Sequence, residues 1–166
     1  MKMEHCDINQ GDSRGFTPLM RAAQRGNQGV VKLLLTKWGI RPGKPGNNGA
    51  APLLGASSNG HEEVVRLLLA RHDVYPDEPD NDGRTPLWWA SFNGHEGVVR
   101  LLLARDDVNP DRQSPSGGTP PWWASRNGHE GVVRLLLARD DVNPASRITA
   151  VKYYRGPPLG MGGRPW

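Results

Sequence analysis

The stretch NGHEGVVRLLLARDDVNP, Asn93 to Pro110, returns without a single change as Asn127 to Pro144. At the same offset of 34 the rest of the chain falls into register, with leucine triplets at Leu33–Leu35, Leu67–Leu69, Leu101–Leu103 and Leu135–Leu137. Thr17, Ala51, Thr85 and Thr119 share one column, Pro18, Pro52, Pro86 and Pro120 the next, and Gly26, Gly60, Gly94 and Gly128 a third. A period of this size marks a solenoid, in which each unit is too small to bury its own apolar face and covers it against its neighbours. The columns divide the chain into an extension, 1–6, an array in units of about 7–41, 42–75, 76–109 and 110–144, and a tail, 145–166.

Within each unit the spacing predicts a loop, a short helix, a tight turn and a longer helix. In the third unit Thr85 suits an N-cap and Pro86 the first helical position, where its missing N–H has no acceptor to lose. Leu87, Trp88, Trp89 and Ala90 form the short helix, ending near Gly94. His95 and Glu96 open the second, which carries a broad apolar face of Val98, Val99, Leu101, Leu102 and Leu103. Glu62 with Arg66, Glu96 with Arg100 and Glu130 with Arg134 stand one turn apart in acid-first order, worth about 0.2–0.5 kcal/mol per pair. Asn109-Pro110 leaves the helix, because proline holds the preceding residue extended. Helices of about 8 and 10 residues are marginal alone in water, so stacking has to hold them. The fold class read from the sequence is all-α, a solenoid of stacked helix-turn-helix repeats with projecting loops.

The segment GRTPLWWASFNGHEGVVRLLLARDDVNP, from Gly83, resembles the ankyrin repeat, whose T-P-L-H-x-A signature it matches except at the histidine. The resemblance covers residues 7 to 144, and the near-identical units are most similar to those of long ankyrin arrays in fungal proteins. It departs from the family in period, 34 against the usual value of about 33. The loops before Thr85 and Thr119 are longer than the one before Thr17. The family histidine is replaced by Met20, Leu54, Trp88 and Trp122. The second unit departs furthest, with Ala51 for the capping threonine, Gly55 for a tryptophan and a Pro/Gly-rich loop from Arg41 to Asn48. It is the expected soft link.

The resemblance implies a concave side, built from loops and first helices, that binds another protein. Residues that vary there while the framework repeats are the candidate partner contacts: Arg14, Phe16, Gln24 and Arg25; Ala50, Ser58 and Asn59; Asp82, Arg84, Phe92 and Asn93; Ser116, Gly118, Arg126 and Asn127. Phe92 and Arg126 lead, since exposed aromatics and arginines are over-represented among hot spots.

Other chemistry is poorly served. The column His61, His95 and His129 invites a metal, but stacked helices lie about 8–10 Å apart, too far for imidazoles to share an ion with bonds of about 2 Å. Trp88, Trp89, Trp122 and Trp123 lie in a helix that must pack, so they read as core with at most the outer member of each pair exposed. Lys32, Arg66, Arg100 and Arg134 read as a solvated face. No phosphate-cradling loop with its lysine, no nucleophile elbow and no oriented histidine is present, so neither catalysis nor a cofactor is expected.

Hydrophobic residues make up 36% of 166, and apolar runs such as LLLA are far shorter than the roughly 20 residues of a membrane helix. The first residues lack a signal-peptide core, and Cys6 is the single cysteine. The expectation is an intracellular protein, cytoplasmic or nuclear, without a membrane segment. The net charge of +4 resides in the tail, whose Arg147, Lys152, Arg155 and Arg164 face no acid; the remaining 17 basic residues balance 17 acids. With Gly or Pro at seven of the last eleven positions the tail reads as disordered. With Tyr153, Tyr154 and Trp166 it offers a weaker alternative, nucleic-acid binding. A third reading is a fragment of a longer array. The last unit copies an internal one, so that Val132, Leu135 and Leu136 need a cover, and end-to-end self-association is open beside a monomer.

Overall fold

The computed structural model describes residues 7–115 and 117–153. The N-terminal extension, Ser116, and Tyr154, Arg155, Arg164 and Trp166 of the tail lie outside the described residues. Four helix pairs follow one another: α1 (Pro18–Gln24) and α2 (Gln28–Leu35), α3 (Pro52–Ser58) and α4 (Glu62–Leu69), α5 (Pro86–Asn93) and α6 (Glu96–Leu103), α7 (Pro120–Arg126) and α8 (Glu130–Leu137). A further helix, α9, spans Pro144–Tyr153. Among the described residues there is no strand, and no helix is long and apolar enough to cross a membrane.

Proline opens every inner helix at its first turn, and the capping column works unevenly. Thr17 Oγ1 accepts from Met20 N–H at 3.2 Å and Thr85 Oγ1 from Trp88 N–H at 3.1 Å. Ala51 has no such bond to offer, and Thr119 Oγ1 is buried without a partner among the described residues. The outer helices have eight residues, fewer than the ten or so expected. α6 stops at Leu103, where the Ala104 N–H turns back to Arg100 and Leu102, and Arg105 pairs with Asp107 at 2.9 Å.

Inner helices pack in the order α1, α3, α5, α7, α9 and outer helices in the order α2, α4, α6, α8. Equivalent positions then meet across every seam. Leu19, Leu53 and Leu87 from the inner row join Val31, Val65, Val99 and Val133 and Leu68, Leu102 and Leu136 from the outer row in one continuous core. Each such side chain contributes about 1.5–3 kcal/mol by leaving water. No unit achieves this alone.

The acid-first pairs on the outer helices only partly form. Arg134 does pair with Glu130, but Arg66 meets Glu63 at 3.5 Å instead of Glu62, and Arg100 has no carboxylate partner among the described residues. The cause lies in the next unit. Gly97 and Gly131 have no Cβ, and the Glu62 and Glu96 carboxylates occupy the space one would fill. Glu130, with no following outer helix among the described residues, turns back to Arg134. Lys32 reaches across a seam to Glu63 at 3.7 Å, and Arg66, Arg100 and Arg134 are exposed.

The end of the array corrects the reading of the tail as disordered from 145. The glycines and prolines behind that reading begin at Gly156, whereas 145–153 contains neither and continues helically from Pro144. Asn143 Oδ1 accepts from the Ala145 N–H at 2.8 Å, and Asp111 accepts the Asn143 N–H. The helix packs on α7 as α7 packs on α5, taking the place of a fifth inner helix reached by the short turn 138–143 and not by a finger. Ala150 is fully buried there, Val132 and Leu136 have no exposure while Leu135 is half-buried, and the apolar groups exposed on α9 are Ile148, Val151 and Tyr153, at 68%, 45% and 46%.

Candidate interaction surface

The loops between units project as fingers whose turns are set by local chemistry. Asp80 Oδ1 accepts from the Asp82 and Arg84 N–H groups at 3.0 and 2.9 Å, and the Gly83 N–H returns to Asp80 O at 2.9 Å with φ 70°. Asp12 organises the first finger in the same way through Arg14 and Phe16. Successive tips are tied together: Asn47 N–H donates to Arg14 O at 3.2 Å, and Asn81 N–H to Asn48 O at 3.0 Å.

Polar bonds also close the seams at the ends of the inner helices. His61, His95 and His129 donate through Nε2 to the carbonyls of Gln24, Ser58 and Phe92 at 3.0, 3.0 and 2.9 Å. Each ring lies against a glycine of the preceding unit, Gly26, Gly60 or Gly94, where a side chain could not fit. Asn93 Nδ2 donates to Ser58 O at 2.9 Å and Asn127 Nδ2 to Phe92 O at 2.8 Å. These two candidate contact residues therefore help hold the stack as well.

Between fingers and helix ends runs an aromatic ladder. Trp88 stacks on Phe92 at 5.1 Å and meets Trp89 and Trp123 edge-on at 5.0 and 5.4 Å. Phe92 lies 5.3 Å from Trp123, Trp123 4.6 Å from Trp122, and Trp122 5.8 Å from Tyr153 of α9. Trp88 is 4% exposed and Trp89 half-buried, as an inner and outer member should be. Trp122 and Trp123 are both half-buried, and the short side chains Ala145, Ser146 and Thr149 of α9 leave a cleft of about 220 Å³ beside Trp122. Trp89 Nε1 donates to Asp80 Oδ2 at 3.2 Å, joining ladder to finger.

Arginines lie over these rings. The Arg84 guanidinium is 4.5 Å from the Trp89 centroid, Arg126 is 5.2 Å from Trp122, and Arg14 and Arg21 are 5.6 and 4.4 Å from Phe16. Arg84 is also committed to Asp80 at 3.1 Å and to Asp82, and Arg21 to Asp12 at 2.5 Å. The Arg21 bond holds the Asp12 carboxyl below the ordinary carboxylate range, helped by the Phe16 and Arg14 N–H groups. At the finger bases Arg71, Arg105 and Arg139 do the same for Asp73, Asp107 and Asp141. Asp77 runs the other way: burial raises it, against the Arg112 guanidinium at 3.1 Å.

Of the candidate contacts, Arg14, Arg25, Asn59, Asp82, Asn93, Arg126 and Asn127 are exposed, Phe16, Gln24, Ser58, Arg84, Phe92 and Gly118 half-buried, and Ala50 buried. Ser116 lies outside the described residues. Phe92 is a packed member of the ladder, not a free side chain, and Gln24 lies over Gly55, where a tryptophan stands in later units. Sequence reasoning missed Asp80, and assigned Tyr153 to a nucleic-acid-binding tail and not to the ladder. Asp80 shared its turn signal with Asp12, but its bond to Trp89 depends on how finger and helix meet. Among the described residues no three His, Cys, Asp or Glu side chains converge on a possible metal position.

Stacked helix pairs with projecting fingers and a lined inner face define the class of repeat solenoids. A family model for ankyrin repeats (3 copies) matches residues 1–80, 40–114 and 56–147. The chain belongs to the ankyrin repeat family. No curated protein matches it. Ankyrin repeats are in general protein-interaction modules.

Proposed function

We propose that this array is a protein-interaction module without chemistry of its own, binding a partner protein through its fingers and inner-helix ends. One observation carries the reading. The columns that repeat are consumed in holding the stack, as in His61, His95 and His129 and the leucine and valine rows. The columns that vary, Arg14 to Asp82 on the fingers and Gln24 to Arg126 on the helix ends, line one side, joined by Arg84 over Trp89 and Trp89 on Asp80. Repetition answers to packing in the buried columns, and variation leaves a column free to answer to a partner.

The test is affinity capture with the full chain, compared with Arg126→Ala and with Phe92→Ala plus Arg126→Ala. Arg100→Ala with Arg134→Ala on the outer helices serves as control. A protein retained by the wild type and the control and lost with the inner-face variants is the expected result. Because Phe92 packs in the ladder, the Arg126→Ala variant keeps the test independent of folding. Retention by every variant would sink the concave-face reading.

A further inference from the structure

Resting on that reading, we infer that the occupant of this face is an extended acidic peptide segment carrying aromatic or proline side chains. The charge arrangement makes the first half of the case. The finger carboxylates nearest the rings are already engaged, Asp12 by Arg21, and Asp80 and Asp82 by Arg84. Arg14, Arg25 and Arg126 have no carboxylate among the described residues. Arg14 and Arg126 lie over rings, 5.6 Å from Phe16 and 5.2 Å from Trp122. A guanidinium that lies on a ring keeps its in-plane N–H groups available, and these match a carboxylate in two-pronged geometry. The face thus carries cations without carboxylate partners in its first and fourth units.

The floor between those cations makes the second half. Trp89, Phe92, Trp122 and Trp123 are half-buried, and the cleft beside Trp122 is bounded by Gly118, Thr119 and Thr149. Flat apolar side chains fit such a floor. Bases do not, because Trp88 and Phe92 already stack on each other, the tryptophans meet edge-on, and arginines cover other faces. Arg14 and Arg126 belong to the first and fourth units, three seams apart at about 8–10 Å each, so the stacking alone sets them roughly 27 Å apart along the array. An extended peptide of about eight residues spans that distance.

The experiment selects binders from a random peptide library of about eight variable positions on the immobilised full chain. Recovered peptides are then measured by fluorescence anisotropy with single-stranded oligothymidylate as competitor. The expected peptides are net acidic and contain Phe, Trp, Tyr or Pro. Arg126→Glu weakens them about tenfold, the loss of one partly exposed charge pair together with the new repulsion. They bind less tightly as salt rises. The same variant, selected afresh, turns the preference toward basic peptides. Neutral or basic peptides that still depend on Arg126 would overturn the acidic occupant and leave the concave-face reading standing. Peptides indifferent to Arg126→Glu would overturn both. Displacement by oligothymidylate at matched charge would replace the peptide with a polyanion, and no enrichment would refute the proposal outright.

Discussion

The seams make unequal use of the same histidine, and the inequality is measurable. His95 and His129 each share their acceptor carbonyl with an asparagine: Ser58 O receives His95 and Asn93, and Phe92 O receives His129 at 2.9 Å and Asn127 at 2.8 Å. At the first seam Asn59 turns back to Gly55 O at 2.8 Å, so Gln24 O receives His61 alone among the described residues, at 3.0 Å. Replacing His129 with alanine removes one bond, a net loss of about 1 kcal/mol, while Asn127 still satisfies the carbonyl. Replacing His61 removes the bond and strands the carbonyl in a half-buried seam, adding about 1–2 kcal/mol. The ring contact with glycine is common to both sites and cancels, and both seams lie one unit from an end. The assay is urea unfolding followed by far-ultraviolet circular dichroism, comparing midpoints at constant slope. His61→Ala should cost about 2–3 kcal/mol against about 1 for His129→Ala. Asn127→Ala with His129→Ala should cost about 1 kcal/mol more than the sum of its parts. Equal costs at the two seams, with additivity in the double variant, would show that ring packing alone holds them.

Three further predictions follow from the same structure. Ala51→Thr supplies the cap that Thr17 and Thr85 provide elsewhere, and should raise stability by about 1 kcal/mol in the same urea assay; no gain would mean that the second unit is limited by its loop. Burial raises the Asp77 carboxyl above the value of about 3.9 expected in the unfolded chain, so its stabilising contribution is complete below that pH and is lost as pH rises through the folded value. Asp77→Asn should therefore unfold at higher urea than wild type at neutral pH, with the difference shrinking toward pH 3; a difference that grows on acidification contradicts the sign. Ala150→Asp places an unpaired charge at a site with no exposure, a cost of several kcal/mol that undocking of α9 relieves. Helical signal should fall and Trp122 emission shift to the red; an unchanged spectrum would deny α9 its capping role.

The sequence by itself determined the array, its period and the two helices of each unit. Those follow from short-range rules: proline and threonine before each inner helix, left-handed Gly94 after it, valines and leucines at helical spacing in the outer one. The varied columns were also legible there, because repetition elsewhere makes variation stand out. Only the tertiary structure decided which partners the side chains take. Glu62 and Glu96 left their own-helix arginines because a glycine one unit later leaves room for a carboxylate, a fact about two helices and not one. Phe92 changed from a free contact residue to a packed ring because Trp123 of the next unit lies 5.3 Å away. The clearest case is Val-Asn-Pro, identical at 108–110 and 142–144. The first copy runs into a finger of Pro, Ser and Gly; the second opens α9, where Ala150 finds a buried place on α7. Proline at a first helical position fits either course, and the packing available to the residues that follow decides between them.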